Sequence, residues 1–311
     1  MILLWLGLAP HTNGDREKLV LALQQLMADD RSLAVKSSDH GTIMIGAPGE
    51  DQLDAAVDHL VHRFRVDAAV RGIEIAYKET LTRAAEGESK YVAQSGGRGQ
   101  YAHVKVRVEP GDAGSGCVFE DAILGGAIPK RMIPCVEEGI DEVLDRGVLA
   151  GYPIDDIRVT VCDGSYHEAD SSEAAFTIAG RLAFLEAARR AKPILLEPIM
   201  NVSVVIPLQC KNHVLRGLRD RGASFQSVGA EDAASGMMTI STLVPLSQMF
   251  GYGSHLSART HRRGAFTMTF SHYAPAILSE DDGDRAADVT APLRPRTPPL
   301  ILRAAVPEPR D

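Results

Sequence analysis

Residues Leu33-Ala34-Val35-Lys36-Ser37-Ser38-Asp39-His40-Gly41-Thr42-Ile43-Met44-Ile45 decide the architecture of the first quarter of the chain. Two short apolar runs, Leu33–Lys36 and Thr42–Ile45, are split by Asp39-His40-Gly41, and that pattern predicts a hairpin. On its N-terminal side, Leu19, Val20, Leu23, Leu26 and Met27 recur at helical spacing, with Asp15 available as a cap. On its C-terminal side, Leu53, Ala56, Val57, Leu60, Val61 and Phe64 do the same. Apolar runs at Ile2–Leu8 and Val66–Val70 supply an outer strand at each end. A hairpin between two amphipathic helices, closed by two strands, is a β-α-β-β-α-β unit, the ferredoxin-like pattern, over residues 1–75.

The order recurs near the other end, over residues 197–275. Strands are expected at Ile199–Ile206, Ser224–Val228, Met237–Leu243 and Ala265–Phe270, with helices near Lys211–Arg221 and Leu246–Ala258. The two units share element order but little residue identity, so the repeat is one of topology. Residues 76–196 between them differ. Tyr91–Ala93, Ala102–Glu109, Cys117–Ala122 and Asp156–Asp163 read as strands. A helix from Pro129 to Asp145 should bury Ile133, Val136, Ile140 and Val143. A second, from Ser171 to Ala191, is expected to start on a capping box made by Asp170 and Glu173. The fold class is therefore α+β, with two ferredoxin-like domains flanking a different middle domain. Residues 276–311 hold six of the 17 prolines among mixed charges, which predicts a disordered, Pro-rich tail or a partner-binding extension.

Composition narrows the function. A chain of 311 residues with 45% hydrophobic and 24% charged residues should fold into ordinary cores in two or three domains. No apolar run approaches the ~20 residues needed to span a bilayer, and Met1–Leu8 lacks the basic flank of a leader, so it reads as a buried strand. Four scattered cysteines make no C-x-x-C pair, which argues against metal or a disulfide framework and for a cytoplasmic chain. A net charge of −8 argues against coating nucleic acid by bulk electrostatics, while leaving room for contact through a few placed cations.

Two loops in the middle domain carry the most specific chemistry. Gln94-Ser95-Gly96-Gly97-Arg98-Gly99-Gln100-Tyr101 surrounds a planar, permanently charged donor fork with uncovered backbone N–H groups, which suits phosphates and base edges. Gly164-Ser165-Tyr166-His167-Glu168-Ala169-Asp170-Ser171 presents an exposed imidazole that suits stacking on or bonding to a base. The plain alternatives are a ligand-free hairpin loop and a solvated loop histidine. His167, Asp170 and Ser171 are the residue types of a hydrolase triad, but such triads are assembled from separate segments and no G-x-S-x-G elbow is present. No G-x-x-x-x-G-K-[ST] string occurs, so no catalytic, cofactor or metal residues are expected in this chain. Arg216, Arg219 and Arg221 close a helix, and Arg262 and Arg263 precede the last strand. These arginines could face RNA phosphates or complement a helix dipole.

The strings Gln94–Tyr101, Gly125-Gly126-Ala127-Ile128-Pro129-Lys130, Asp163–His167, Asp170-Ser171-Ser172-Glu173, Leu196-Glu197-Pro198-Ile199-Met200 and Met249-Phe250-Gly251-Tyr252 are long and collinear. In them the chain resembles the third to fifth domains of bacterial elongation factor G, the ribosomal translocase. The resemblance implies a middle domain like domain 2 of ribosomal protein S5, with a left-handed crossover. It implies that the tip carrying Gln94–Gln100, Tyr166, His167 and Asp170 enters the 16S decoding region beside the tRNA–mRNA duplex. It also implies that Arg219, Arg221, Arg262 and Arg263 face the 23S factor-binding region.

Family members bind GTP in a domain that is absent from this chain. Two expectations follow: a ribosome-binding factor without its own GTPase, or one half of a split factor working with a separate GTPase subunit. A folded remnant without function is a third. The first unit departs from the family, having Gly46-Ala47-Pro48-Gly49-Glu50-Asp51-Gln52-Leu53-Asp54 where Gly-Met-Gly-Glu-Leu-His-Leu-Glu is expected, and Leu8-Ala9-Pro10-His11 where Ile-Glu-Pro-Lys is expected.

Overall fold

The computed structural model describes residues 1–37, 42–95, 98–229 and 236–276. The Pro-rich tail from residue 277 and the hairpin turn at 38–41 lie outside the described residues.

The first segment has the expected element order. It comprises β1 (Leu4–Pro10), α1 (Asn13–Asp29), β2 (Ala34–Ser37), β3 (Ile43–Ala47), α2 (Glu50–Asp58) and β4 (Ala68–Ile75). Neighbours in the sheet order β2-β3-β1-β4 are antiparallel throughout, because each helix joins two like-directed strands that have an oppositely directed strand between them. Helix α1 is capped by Thr12, whose hydroxyl accepts from Asp15 N–H at 3.1 Å and donates to the Asp15 carboxylate at 2.6 Å. Asp15 thus completes the cap from the third helical position and is not itself the cap residue. The buried stripe runs through Leu19, Ala22, Leu23 and Leu26. Val20 and Met27 fall at its edge, and Val20 is 41% exposed. Helix α2 continues into a π-helical turn, His59–Arg63, in which Phe64 N–H bonds the His59 carbonyl. The wider turn rotates the residues that follow it. Leu60 stays buried while Val61 turns outward to 44% exposure.

Tyr77–Glu197 packs as a compact unit of its own. It contains β5 (Lys78–Leu81), β6 (Ala85–Ser95), β7 (Arg98–Pro110), β8 (Cys117–Asp121), α3 (Ile133–Arg146), β9 (Ile157–Ser165) and α4 (Glu173–Arg190). The sheet order is β6-β7-β9-β8, with β8 parallel to β9. Alternating Ala102, Val104, Val106 and Val108 on β7 and Ile157, Val159 and Val161 on β9 are buried. They pack with Val136, Ile140 and Val143 of α3 and Phe176, Ala179, Ala183 and Phe184 of α4. The two helices approach closely because Gly139 lacks a side chain: a Cβ there would stand 2.0 Å from the Thr177 carbonyl oxygen.

Helix α4 does not start on Asp170. Ser172 is its N-cap, in extended conformation, and accepts from Ala175 N–H at 3.2 Å. Glu173 becomes the first helical residue, where its charge still favours the helix dipole.

Strand β5 has no counterpart in the sequence reading. It pairs antiparallel with the first residues of β10 (Pro193–Pro207), Leu81 opposite Pro193 and Lys78 opposite Leu196. Glu79 on β5 is fully buried. Its carboxylate accepts from the N–H groups of Val148, Leu149, Ala150, Gly151 and Tyr152 at 2.7–3.2 Å. Five oriented backbone dipoles solvate the anion in place of water and fix the loop after α3.

The last segment repeats the first. Strand β10 is followed by α5 (Lys211–Arg219), β11 (Ser224–Val228), β12 (Met237–Pro245), α6 (Tyr252–Arg259) and β13 (Ala265–Pro275), in sheet order β11-β12-β10-β13. The helix expected from Leu246 breaks into a 3-10 turn, Leu246–Gln248, and α6, because Gly251 adopts a left-handed φ of 69° between them.

Candidate nucleic-acid interface

Strands β6 and β7 form a long hairpin in register from Ala85 opposite Val108 to Ser95 opposite Arg98. Gly96 and Gly97, which follow Ser95 in the sequence, lie outside the described residues, as do the side chains of Gln94, Ser95 and Arg98. The backbone nonetheless carries the first loop out to the end of the hairpin, with Gly99 paired to Gln94 and Gln100 exposed.

The second loop docks on that hairpin through its backbone. Tyr101 N–H donates to the Asp170 carbonyl at 2.9 Å, and the Ser171 hydroxyl donates to the Tyr101 carbonyl at 2.8 Å. Ser171 also accepts from His167 N–H at 2.9 Å, and its own N–H bonds the His167 carbonyl. The hydroxyl of Ser171 is therefore spent on holding the turn, with the His167 ring elsewhere. Asp170 lies over Gly99, where a Cβ would stand 3.1 Å from its carboxylate. The structure thus brings together Gly99, Tyr101, His167 and Asp170, and leaves Tyr166 41% exposed and His167 exposed beside them.

Side chains beneath the loops extend this contact. The His167 ring meets Tyr101 edge-on, and Lys90 Nζ sits 5.6 Å from the Tyr101 centroid. The Tyr101 hydroxyl is 2.7 Å from Ser165 Oγ, which is 3.1 Å from His103 Nδ1. His103 Nε2 is 2.8 Å from Glu88 Oε1. Lys90, Glu88, His103 and Ser165 have no motif of their own that marks them as site residues in the sequence. Two-residue spacing of Glu88 and Lys90 on one strand face, with His103 directly opposite Lys90, is the signal that groups them.

The second set of cations divides. Arg219 ends α5 with its guanidinium 5.5 Å from the Phe225 centroid, and remains exposed. Arg221 is half-buried: it donates to the Gln248 carbonyl and lies 5.3 Å from the Tyr252 centroid. The Tyr252 ring is buried, which pushes its phenol up to about 12 against the pull of Arg221, and its hydroxyl has no hydrogen-bond partner among the described residues. Burial, then the charges of Arg259 and Arg221, hold His255 below the ordinary imidazole value. Arg262 and Arg263 are exposed in the turn between α6 and β13. That turn is strained, since His261 and Arg262 both take left-handed φ, 51° and 62°. Bonds from Arg262 N–H to the Ser257 carbonyl and from Gly264 N–H to the Thr260 hydroxyl hold it. Arg262 lines an open depression with Ser254, Ser257 and His261.

Among the described residues, no group of three or more His, Cys, Asp or Glu side chains could hold a metal ion, and no helix is long and apolar enough to cross a membrane.

Three family models together match nearly all of the described residues. Residues 4–72 match elongation factor G domain III, residues 73–192 match elongation factor G domain IV, and residues 194–282 match the elongation factor G C-terminus. None of the three is a GTP-binding domain. A crystal structure of a protein from Thermus thermophilus is 35% identical, with a TM-score of 0.72 over 92% of this chain. The chain spans 42% of the length of that protein.

Proposed function

We propose that this chain, which belongs to the elongation factor G family and carries its domains III, IV and C-terminus, binds the ribosome and acts on translocation or a related step of translation. In this reading the domain IV tip enters the decoding region, with Arg98, Gln100, Tyr166 and His167 meeting RNA. Arg219, Arg262 and Arg263 meet phosphates of the large-subunit factor-binding region, and Arg221 contributes the donors left over from its bond to Gln248. Action is by occupancy and local electrostatics. No nucleotide chemistry is assigned to these residues, and GTP would be handled by a domain other than the three matched here.

The observation that carries the reading is the docking of two loops onto one another through Tyr101 and Asp170. It concentrates an exposed imidazole, an exposed phenol and the arginine-bearing hairpin end at one place, the combination that recognises unpaired bases and phosphates. With a net charge of −8, binding must come from such local sites, because the whole-protein field repels RNA.

Chemical probing of bacterial ribosomes with and without the protein tests this. Protection of bases in the small-subunit decoding region together with the large-subunit factor-binding region is expected. Unchanged reactivity at both, at saturating protein, would refute the proposal.

A further inference from the structure

The loop between β8 and α3, residues 122–129, takes no part in the contact between the two tip loops. Topology brings it to the same end of the sheet as His167. Strand β8 runs parallel to β9, with Asp121 opposite Val161, and Ala122 N–H donates to the Val161 carbonyl at 3.0 Å. Strand β9 then runs on to Ser165 and the loop carrying Tyr166 and His167. The base of the loop is anchored by Ile128, which is buried and fills the space that a side chain at Gly164 would need. From that base the chain projects Leu124 to 85% exposure. Gly125 and Gly126 make this possible, with left-handed φ of 65° and 73° and open space where a Cβ would be. Past the anchor, Lys130 and Arg131 are exposed, and neither takes part in an ion pair among the described residues. They stand ahead of α3, where the helix dipole disfavours cations, so the helix gains nothing from them.

A solvated apolar side chain held out on a glycine turn, followed by two unpaired cations, fits a surface that is flat, apolar on its faces and anionic at its edge. RNA presents that combination in its bases and phosphates. We infer that residues 122–131 are a third RNA contact of the tip. Leu124 packs on sugar and base faces of ribosomal RNA, and Lys130 and Arg131 neutralise neighbouring phosphates. The inference rests on the ribosome-binding reading above.

The test compares ribosome binding across a salt titration for the wild type, Leu124→Ser, and Lys130→Ala/Arg131→Ala. All three sites are solvent-facing, so the fold is retained. Leu124→Ser should weaken binding about tenfold at every salt concentration. The double variant should reduce the slope of log affinity against log salt by about 1.4. A photoreactive residue in place of Leu124 should crosslink to ribosomal RNA. If both variants bind like the wild type while Arg98→Ala/His167→Ala binds weakly, the third contact falls and the ribosome reading stands. Crosslinks to ribosomal protein alone would overturn the RNA assignment. A wild-type protein that fails to bind would overturn both.

Discussion

His167 meets Tyr101 edge-on, with ring centroids 4.6 Å apart and planes at 83°, on a loop whose backbone is bonded to the N–H of Tyr101 and whose Ser171 hydroxyl is bonded to its carbonyl. One residue of the hairpin therefore fixes the position of the loop and the orientation of its imidazole. An aromatic pair of this kind contributes about 0.5–1.5 kcal/mol. Tyr101→Ala should accordingly lower ribosome affinity by about three- to tenfold. Tyr101→Phe retains the ring and should stay within about twofold of the wild type, since it loses only the bond to Ser165. Equal losses in the two variants would show that the ring contact is not what orients His167.

The buried carboxylate of Glu79 makes a separate claim about stability. Glu79→Ala leaves five N–H groups from Val148 to Tyr152 without their acceptor, at a cost of about 3 kcal/mol or more. Amide hydrogen exchange at those residues is the direct readout. Exchange should accelerate strongly there, and unchanged protection would mean that the loop is held by something else.

Close approach of α3 and α4 at Gly139 gives a steric prediction. Gly139→Ala forces a methyl against the Thr177 carbonyl, and overpacking of this kind costs about 1–3 kcal/mol. A lower thermal midpoint is expected in spite of the better helix propensity of alanine. A gain in midpoint would place the helices farther apart than described.

His255 supplies a pH dependence with a definite sign. Its folded value lies below 6.5, first through burial and then through Arg259 and Arg221. As pH falls through about 6.5, the unfolded chain takes up a proton that the folded one refuses, so stability present at higher pH is lost. Relative to His255→Gln, the wild type should lose stability between about pH 7 and pH 5.5. Parallel curves for the two proteins would contradict the assignment.

Where periodicity is long, the elements can be read directly. The buried stripe of α3, the order of both βαββαβ units and the span of β11 follow from spacing in the sequence, and so do Leu19, Leu23 and Leu26 of α1, though not its edge residues Val20 and Met27. Local choices among neighbours are not legible. Thr12 and Asp15 are both good caps, as are Asp170 and Ser172, and the backbone geometry of the preceding loop selects between them. Asp170 instead accepts from Tyr101 N–H on β7 through its carbonyl, and its carboxylate lies over Gly99. Strand β5 is four residues long and pairs with β10 more than a hundred residues away, so no local pattern marks it. Glycines, arginine and imidazole make the two tip loops recognisable as motifs. Their meeting through Tyr101 is a tertiary fact, and the Glu88–His103–Ser165 chain beneath it needs the strand register to appear.

Binding of the ribosome by these tip residues is tested most directly by co-sedimentation with bacterial ribosomes. Wild-type protein is predicted to pellet with ribosomes, and Arg98→Ala/His167→Ala to remain largely in the supernatant under the same salt. Wild-type protein that does not pellet, or a double variant that pellets equally well, would contradict the claim.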